Sequence, residues 1–331
     1  MIRLAIKILV LLALVLAGWW WVATGSLDRG VQVWLESLRA NGMTAHVNSV
    51  TRGGFPFRIA TTLKDITLNG PATNTTLSLP EVKLSAPIYW PGDAMLRLSD
   101  DPVAITTPTV VSTLTSNGTE AAIRLHPGSA LQLEGMYASS SNIAFDLPEG
   151  RLFAIETLQA YMDQTDQPQT YAIDLTAIGF ALGGVLTQDL GLPPNMPDTF
   201  EPIILDMIVT FDKPWDRNGL RENRPQPRRI TIDKAEALFA DFGLNASADI
   251  DVDTAGVPSG VINVKLRNWQ QMFDLAVSES LVPRDWALTA QRLLTAMSDG
   301  QGTLALDITI DQGQMRVGFI PLGPAPRLVI P

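Results

Sequence analysis

The sequence predicts a mainly β protein of the α+β class: a long curved antiparallel meander sheet with a few covering helices, preceded by one N-terminal transmembrane helix. Three observations predict it. Apolar and polar residues alternate with a period of two through most of the chain after residue 43, and turn signals interrupt the alternation at regular intervals. Helical spacing is confined to a few short stretches. The first 25 residues carry an apolar run with basic residues only at its start.

Residues 1–25 read as a signal-anchor. Arg3 and Lys7 precede the run from Ile8 to Ala23, and counting back to Leu4 gives about 30 Å of helix, one bilayer core. Lys7 can snorkel to the headgroups, and Trp19, Trp20 and Trp21 suit the membrane–water interface. A cleaved signal peptide is the competing reading, but its nearest cleavage site, Ala23-Thr24-Gly25, is a poor match. Basic residues before the span place the N-terminus in the cytoplasm and export the body. Residues 26–42 form an amphipathic linker helix: Leu27, Val31, Trp34, Leu35 and Leu38 recur at helical spacing, Ser26 suits the N-cap and Gly42 the C-terminal end. This helix either lies on the membrane or covers one edge of the β domain, and the second reading is preferred.

The first β segment spans 43–211. Phe55, Phe57, Ile59 and Thr61 point to one side of a strand, and Leu63, Ile66 and Leu68 continue it with a small irregularity. Further alternations fall at 77–79, 82–84, 95–98, 103–105, 130–133 and 142–145. Asn69-Gly70-Pro71, Trp90-Pro91-Gly92-Asp93, Asn117-Gly118, Pro127-Gly128 and Glu149-Gly150 read as the turns. One side of each strand is apolar and the other Thr, Ser, Asn and Lys, the pattern of a sheet with one wet face. Residues 178–200 break the pattern with a short helix and a loop holding Pro193, Pro194 and Pro197; Ile203 to Phe211 returns to strand.

A basic, proline-rich loop over 212–229 carries Arg217, Arg221, Arg224, Arg228 and Arg229. It is either a solvated connection or a site for anionic lipid headgroups or a partner protein. The second β segment, 230–331, contains strands around 230–239, 244–253 and 261–266, helices within 268–297 opened by Asn268 as N-cap, and a closing hairpin. In the hairpin Leu304, Leu306, Ile308 and Ile310 alternate strictly, Asp311-Gln312-Gly313 turns, and Met315, Val317 and Phe319 return.

Composition then restricts the chemistry. The 331 residues are 46% hydrophobic, enough for a substantial core, and the net charge of −10 argues against nucleic-acid binding. Without Cys there are no disulfides, thiolate metal sites or Cys nucleophiles, and the two histidines, His46 and His126, leave little for metal ligation or general-base catalysis. Asp249, Asp251 and Asp253 suggest a calcium loop, but its sixth and twelfth positions are Thr254 and Gly260 where Gly and Glu are needed, so the triplet reads as a wet strand face. Gly53-Gly54 and Gly183-Gly184 lack the spacing of phosphate loops. The chain is therefore expected to be a non-enzyme without cofactor or metal.

Arg52-Gly53-Gly54-Phe55-Pro56-Phe57-Arg58 after a signal-anchor, with the ending Pro321-Leu322-Gly323-Pro324-Ala325-Pro326, resembles the domain-of-unknown-function family 2125 of alphaproteobacteria over nearly the whole chain. The second half, through Asn268-Trp269-Gln270-Gln271-Met272 and the last hairpin, is more loosely similar to AsmA-like envelope proteins. The resemblance implies a single-pass protein of the bacterial inner membrane with its body in the periplasm, and a curved sheet with an apolar groove acting in lipid movement or envelope integrity. It implies no catalytic residue. Two functions are expected to compete: binding of a lipid or other apolar ligand along a groove lined by Phe55, Phe57, Leu304, Leu306, Ile308 and Ile310, or a structural or protein-partner scaffold without a small ligand.

Overall fold

The period-two segments become strands almost throughout. The computed structural model describes residues 42–330 other than 72, 193–197, 218, 220–223, 279–283 and 300–301, together with Gln32, Leu35, Glu36, Leu38 and Arg39. The expected span at 1–25, with Lys7, Trp19, Trp20 and Trp21, lies outside the described residues. Among those described, no helix is long and apolar enough to cross a membrane. The chain is mainly β, and its ladders are antiparallel. It divides into two compact units, Met1–Leu125 with Ala138–Glu149, and His126–Tyr137 with Gly150–Pro331.

The first unit contains β1 (Thr44–Gly53), β2 (Arg58–Gly70), β3 (Thr75–Pro87), β4 (Ala94–Leu98), β5 (Val103–Thr106), β6 (Val111–Leu125) and the second part of β7 (Leu133–Leu147). β2 pairs with β1 and β3, and β4 and β5 bridge β3 to β6. Buried Leu35, helical and ahead of β1, packs with Ala45, Leu63, Ile66 and Val82, and Leu38 joins the rim of that cluster. Leu35 and Leu38 thus pack on a face of the sheet, where the sequence favours a helix over one edge.

That cluster explains the irregularity in β2. Leu63 and Ile66 are three apart, yet both are buried in it, as are Val82 and, at its rim, Leu79. Asp65, between the first two, has φ +49°. A left-handed residue reverses the in–out alternation, so the apolar residues change phase without leaving the covered face. Its neighbour across the ladder is Pro80, which has no N–H to donate, and Asn48 on the other side donates to the Asp65 carboxylate at 3.0 Å. Gly118 (φ +58°) in β6 and Asn142 (φ +48°) in β7 are likewise left-handed residues inside strands. Asn117-Gly118, expected as a hairpin turn, therefore lies inside a strand, with its Gly118 N–H held by Asp100 Oδ1 at 2.8 Å.

Phe55 and Phe57 also depart from expectation. Gly54, at φ +92°, accepts the Arg58 N–H at 2.9 Å, so 54–57 form a turn and the strand starts at Arg58. A Cβ at Gly54 would lie 2.7 Å from the Arg58 carbonyl oxygen, which explains the glycine. Both phenylalanines lie outside the ladder, and both are exposed.

The second unit holds the beginning of β7, then β8 (Gly150–Gln164), β9 (Thr170–Ile178), β10 (Ala181–Leu182), α1 (Gly184–Asp189), β11 (Ile203–Phe211), β12 (Pro227–Phe239), β13 (Phe242–Val252) and β14 (Pro258–Arg267). It ends with α2 (Trp269–Ser278), α3 (Arg284–Met297), β15 (Thr303–Asp311), β16 (Gln314–Val317) and β17 (Ile320–Pro324). β8-β9-β11-β12-β13-β14-β15-β16-β17 pair in that order. The expected alternation at 130–133 is loop up to Leu133, because Leu131 takes φ +50°. β11 pairs directly with β12, so the loop between them joins neighbouring strands, and its expected last residues, Arg228 and Arg229, already belong to β12. The β15–β16 turn uses Gln312 (φ +47°) and Gly313 (φ +76°), the two left-handed residues that a tight two-residue hairpin demands. A second turn at Gly318-Phe319 leads into β17, so Phe319, expected on the returning strand, is exposed in that turn. Asn268 precedes α2 with φ +53°, and its side-chain amide donates to the Asp241 carbonyl at 2.8 Å.

Candidate functional site

The antiparallel registers of the second unit align apolar residues in rows across seven strands. One row runs Met162, Ile173, Met207, Ile232, Ala248, Ile262, Ile308 from β8 to β15. The next runs Ala160, Leu175, Leu205, Ala235, Ala246, Val264, Leu306. The rows beyond them include Ile250 and Ile310 on one side, and Leu266 and Leu304 on the other. The alternate residues face the other way and are mostly polar, including Asp174, Asp249, Asn263, Lys265 and Asp307, with Tyr161, Ile208 and Val261 exposed among them. Leu304, Leu306, Ile308 and Ile310 thus share one side of β15 and belong to this apolar face; Phe55 and Phe57 belong to the first unit and do not.

The ends of the face are closed and its middle is not. Tyr171 is fully buried at one end. Its hydroxyl donates to the Leu133 carbonyl and accepts the Trp215 N–H, both at 3.2 Å, and its ring meets Phe211 edge-on at 5.9 Å. Burial pushes the Tyr171 phenol above its ordinary pKa, with the bonds from Trp215 and Gln164 pulling the other way. The terminal segment after β17 covers the same end near β15: Ala325 and Leu328 pack on Ile250, Val252 and Ile310. The Leu328 N–H donates to the Gly256 carbonyl at 2.8 Å, and Gln226 both donates to and accepts from the Ile330 backbone. At the opposite end Phe180, Phe200 and Phe239 stack in series with centroids 5.3 and 4.4 Å apart, Leu304 is buried, and α2 and α3 contact β13 and β15. Between these closures the two middle rows are only partly buried, except for Ala248. Ala235 opposes Ala246 there across the β12–β13 ladder, while Ala248 opposes Ile232 and, one row further, Ala237 opposes Leu244. The Ala235–Ala246 pair carries the shortest side chains of its row, between Leu205 on one side and Val264 on the other.

The two charged motifs of the sequence neutralise one another. Arg229 contacts Asp249 at 2.7 Å and Asp251 at 3.5 Å across the β12–β13 ladder, and Arg228 pairs with Asp212 at 3.5 Å and donates to the Asp253 carbonyl. Asp253 Oδ1 accepts the backbone N–H groups of Ala255 and Val257, both at 2.8 Å, and so shapes the turn before β14. Arg217 is tied by its backbone N–H to the Ala130 carbonyl, Arg224 is exposed, and Arg221 lies outside the described residues. No group of three His, Cys, Asp or Glu among the described residues could hold a metal ion. His126 Nε2 shares a 2.7 Å hydrogen bond with Gln164 Oε1, and its Nδ1 lies 3.9 Å from a Glu134 carboxylate that local spacing does not reveal. On the polar face a cavity of about 380 Å³ is lined by Glu201, Glu236, Lys265 and Arg267 among others, with Glu236 already held by Lys234 and Asn245.

Fold and site together define an antiparallel meander protein with one polar and one apolar face. The chain belongs to the bacterial family DUF2125, described as an uncharacterized protein conserved in bacteria, which it matches over residues 20–326. Comparison with curated proteins gives no match.

Proposed function

We propose that this chain is a non-enzymatic protein of the bacterial envelope, held at the inner membrane by residues 1–25 with its body in the periplasm, and that the apolar face of the second unit takes up the acyl chain of a lipid. The observation that carries this reading is the pair of partly exposed apolar rows between closed ends, with the Ala235–Ala246 depression in one of them. Apolar ligands are taken up in clefts of this kind, lined by aliphatic side chains with few polar groups. The rows on either side of the Ala235–Ala246 pair lie about 6.7 Å away along the strands and carry Ile232 with Ala248 and Ala237 with Leu244, so the depression is a dip bounded by larger side chains. Native mass spectrometry of the detergent-purified full chain tests whether phospholipid co-purifies, and titration with a fluorescent fatty acid tests whether uptake saturates. Neither co-purification nor saturable uptake would leave the scaffold reading. That second reading draws support from the terminal segment and the buried Tyr171 and Leu304, which fill both ends of the face as a structural core would.

A further inference from the structure

We propose that the tip of the first unit, made by the β1–β2 turn and the loop after β3, is a docking surface for a bilayer that carries anionic headgroups. Phe55 is 57% exposed, Phe57 73% and Tyr89 80%. The two loops that carry them are joined: the Ile88 N–H donates to the Phe57 carbonyl at 3.0 Å. Beneath them Ile59, Ala86 and Ile88 form a small buried cluster, and the Trp90 indole N–H donates to the Leu125 carbonyl at 3.1 Å. The aromatic rings therefore project from a packed base rather than from a loose loop. Large apolar side chains clustered in water mark an interaction site.

Charge decides the partner. Arg52 and Arg58 flank the aromatic turn and are exposed. No acidic residue occurs from 37 to 64, and the loop after β3 carries one, the half-buried Asp93, although the whole chain has 34 acidic residues against 24 basic ones. A basic and aromatic tip on an acidic protein complements the negative surface of an anionic leaflet, where aromatic rings settle at headgroup depth and arginines find phosphate. The tip also stands apart from the chain's N-terminal side. β1 runs from Thr44 to Gly53, so the aromatic turn lies about 30 Å of strand away from the point where the preceding helix joins the sheet. The surface is independent of acyl uptake by the second unit.

The chain has no Cys, so one can be introduced as a unique label site. Gly53 suits it, because a Cβ there meets nothing within 4 Å. Full-length Gly53→Cys carrying an environment-sensitive dye is reconstituted into phosphatidylcholine vesicles, with or without one quarter phosphatidylglycerol, containing spin-labelled lipid. The expected result is a blue-shifted dye quenched by the spin label in the anionic vesicles. Replacing Phe55, Phe57 and Tyr89 by Ser is expected to abolish the quenching while the circular-dichroism melt is retained. If the triple variant fails to fold, Phe57→Ser alone carries the test. Arg52→Gln and Arg58→Gln are expected to weaken docking by roughly fivefold per charge. A dye that stays unquenched in anionic vesicles, or quenching that survives loss of the aromatic rings, overturns the proposal. Equal quenching in neutral and anionic vesicles overturns its charge dependence.

Discussion

Leu304 and Leu306 lie two residues apart on the same side of β15, opposite Leu266 and Val264, yet Leu304 is 1% exposed and Leu306 is partly exposed. Their substitutions separate a filled interior from a ligand face. Truncating a fully buried leucine to alanine costs about 3–5 kcal/mol, transfer and cavity together. A half-covered leucine loses about 1–2 kcal/mol of burial and leaves no closed cavity. Aspartate sharpens the contrast. At Leu304 the carboxylate has no water and no partner, and a cost beyond about 4 kcal/mol is a large share of a stability of 5–15 kcal/mol. At Leu306 the carboxylate reaches solvent, so the fold survives with a loss of about 1–2 kcal/mol, while a charge in the path of an acyl chain abolishes uptake. Urea midpoints of the full-length variants at unchanged m, with fluorescent fatty-acid titrations on those that fold, measure both effects. The reasoning is refuted if Leu306→Asp unfolds the protein as Leu304→Asp does, since the face would then be a closed core. It is refuted differently if Leu306→Asp folds and binds fatty acid as well as the parent.

Three further outcomes are expected. Gly256, at φ +78°, sits under the terminal segment, and a Cβ there would overlap the Val329 side chain. Gly256→Ala should cost about 1–2 kcal/mol, and adding Val329→Ala should recover part of it in a double-mutant cycle of unfolding midpoints, whereas strict additivity would show that the segment does not pack as described. Tyr171→Phe should cost about 1–3 kcal/mol at pH 7, because the Leu133 carbonyl and Trp215 N–H lose their partner. The phenol pKa is raised in the folded state, so its contribution is complete below about pH 10 and is lost as the pH rises through the folded value; urea midpoints from pH 7 to 11 should fall less steeply in the variant than in the parent. A reporter active only in the periplasm, fused after Pro331, should be active, and a cytoplasmic reporter active at that position would overturn the topology.

The fold was legible where alternation was strict. Leu304 to Ile310 and the Gln312-Gly313 turn form the hairpin that their pattern announces, because each local preference agrees with the ladder. It was illegible where backbone conformation overrode pattern. Phe55 and Phe57 continue the alternation of Ile59 and Thr61 perfectly, and the turn that opens at the left-handed Gly54 takes them out of the strand. Asn117-Gly118 is the strongest short hairpin signal in the first unit, yet Gly118 is a left-handed residue inside β6, as Asp65 is in β2 and Asn142 in β7. The reversal in β2 was present in sequence as apolar residues three apart, Leu63 with Ile66, opposite Leu79 with Val82 in β3, and it becomes readable only when those two strands are in register. The neutralising pairs of Arg229 with Asp249 and Asp251 are 20 and 22 residues apart in sequence, which conceals them from local spacing. The alanine depression has the same origin: no one strand looks unusual, and the small side chains meet only across the β12–β13 ladder.

The extent of the apolar face bears on why its middle is open. Seven strands at about 4.8 Å and two rows at about 6.7 Å span roughly 400 Å² of sheet, of which only part is accessible because every residue of the rows is at least partly buried. A closed core would require large side chains to project from the centre of the sheet toward a covering layer. Ala235 and Ala246 do the opposite, lowering the floor at one pair where β12 and β13 meet while the flanking strands carry Leu205 and Val264 beside them. Each alanine forgoes the burial that a leucine there would supply, about 1–2 kcal/mol apiece. A sheet selected for stability alone would fill that floor. If an acyl chain lies there, as proposed, Ala235 and Ala246 give it room, and the reverse face, with its paired arginines and aspartates, suits it less.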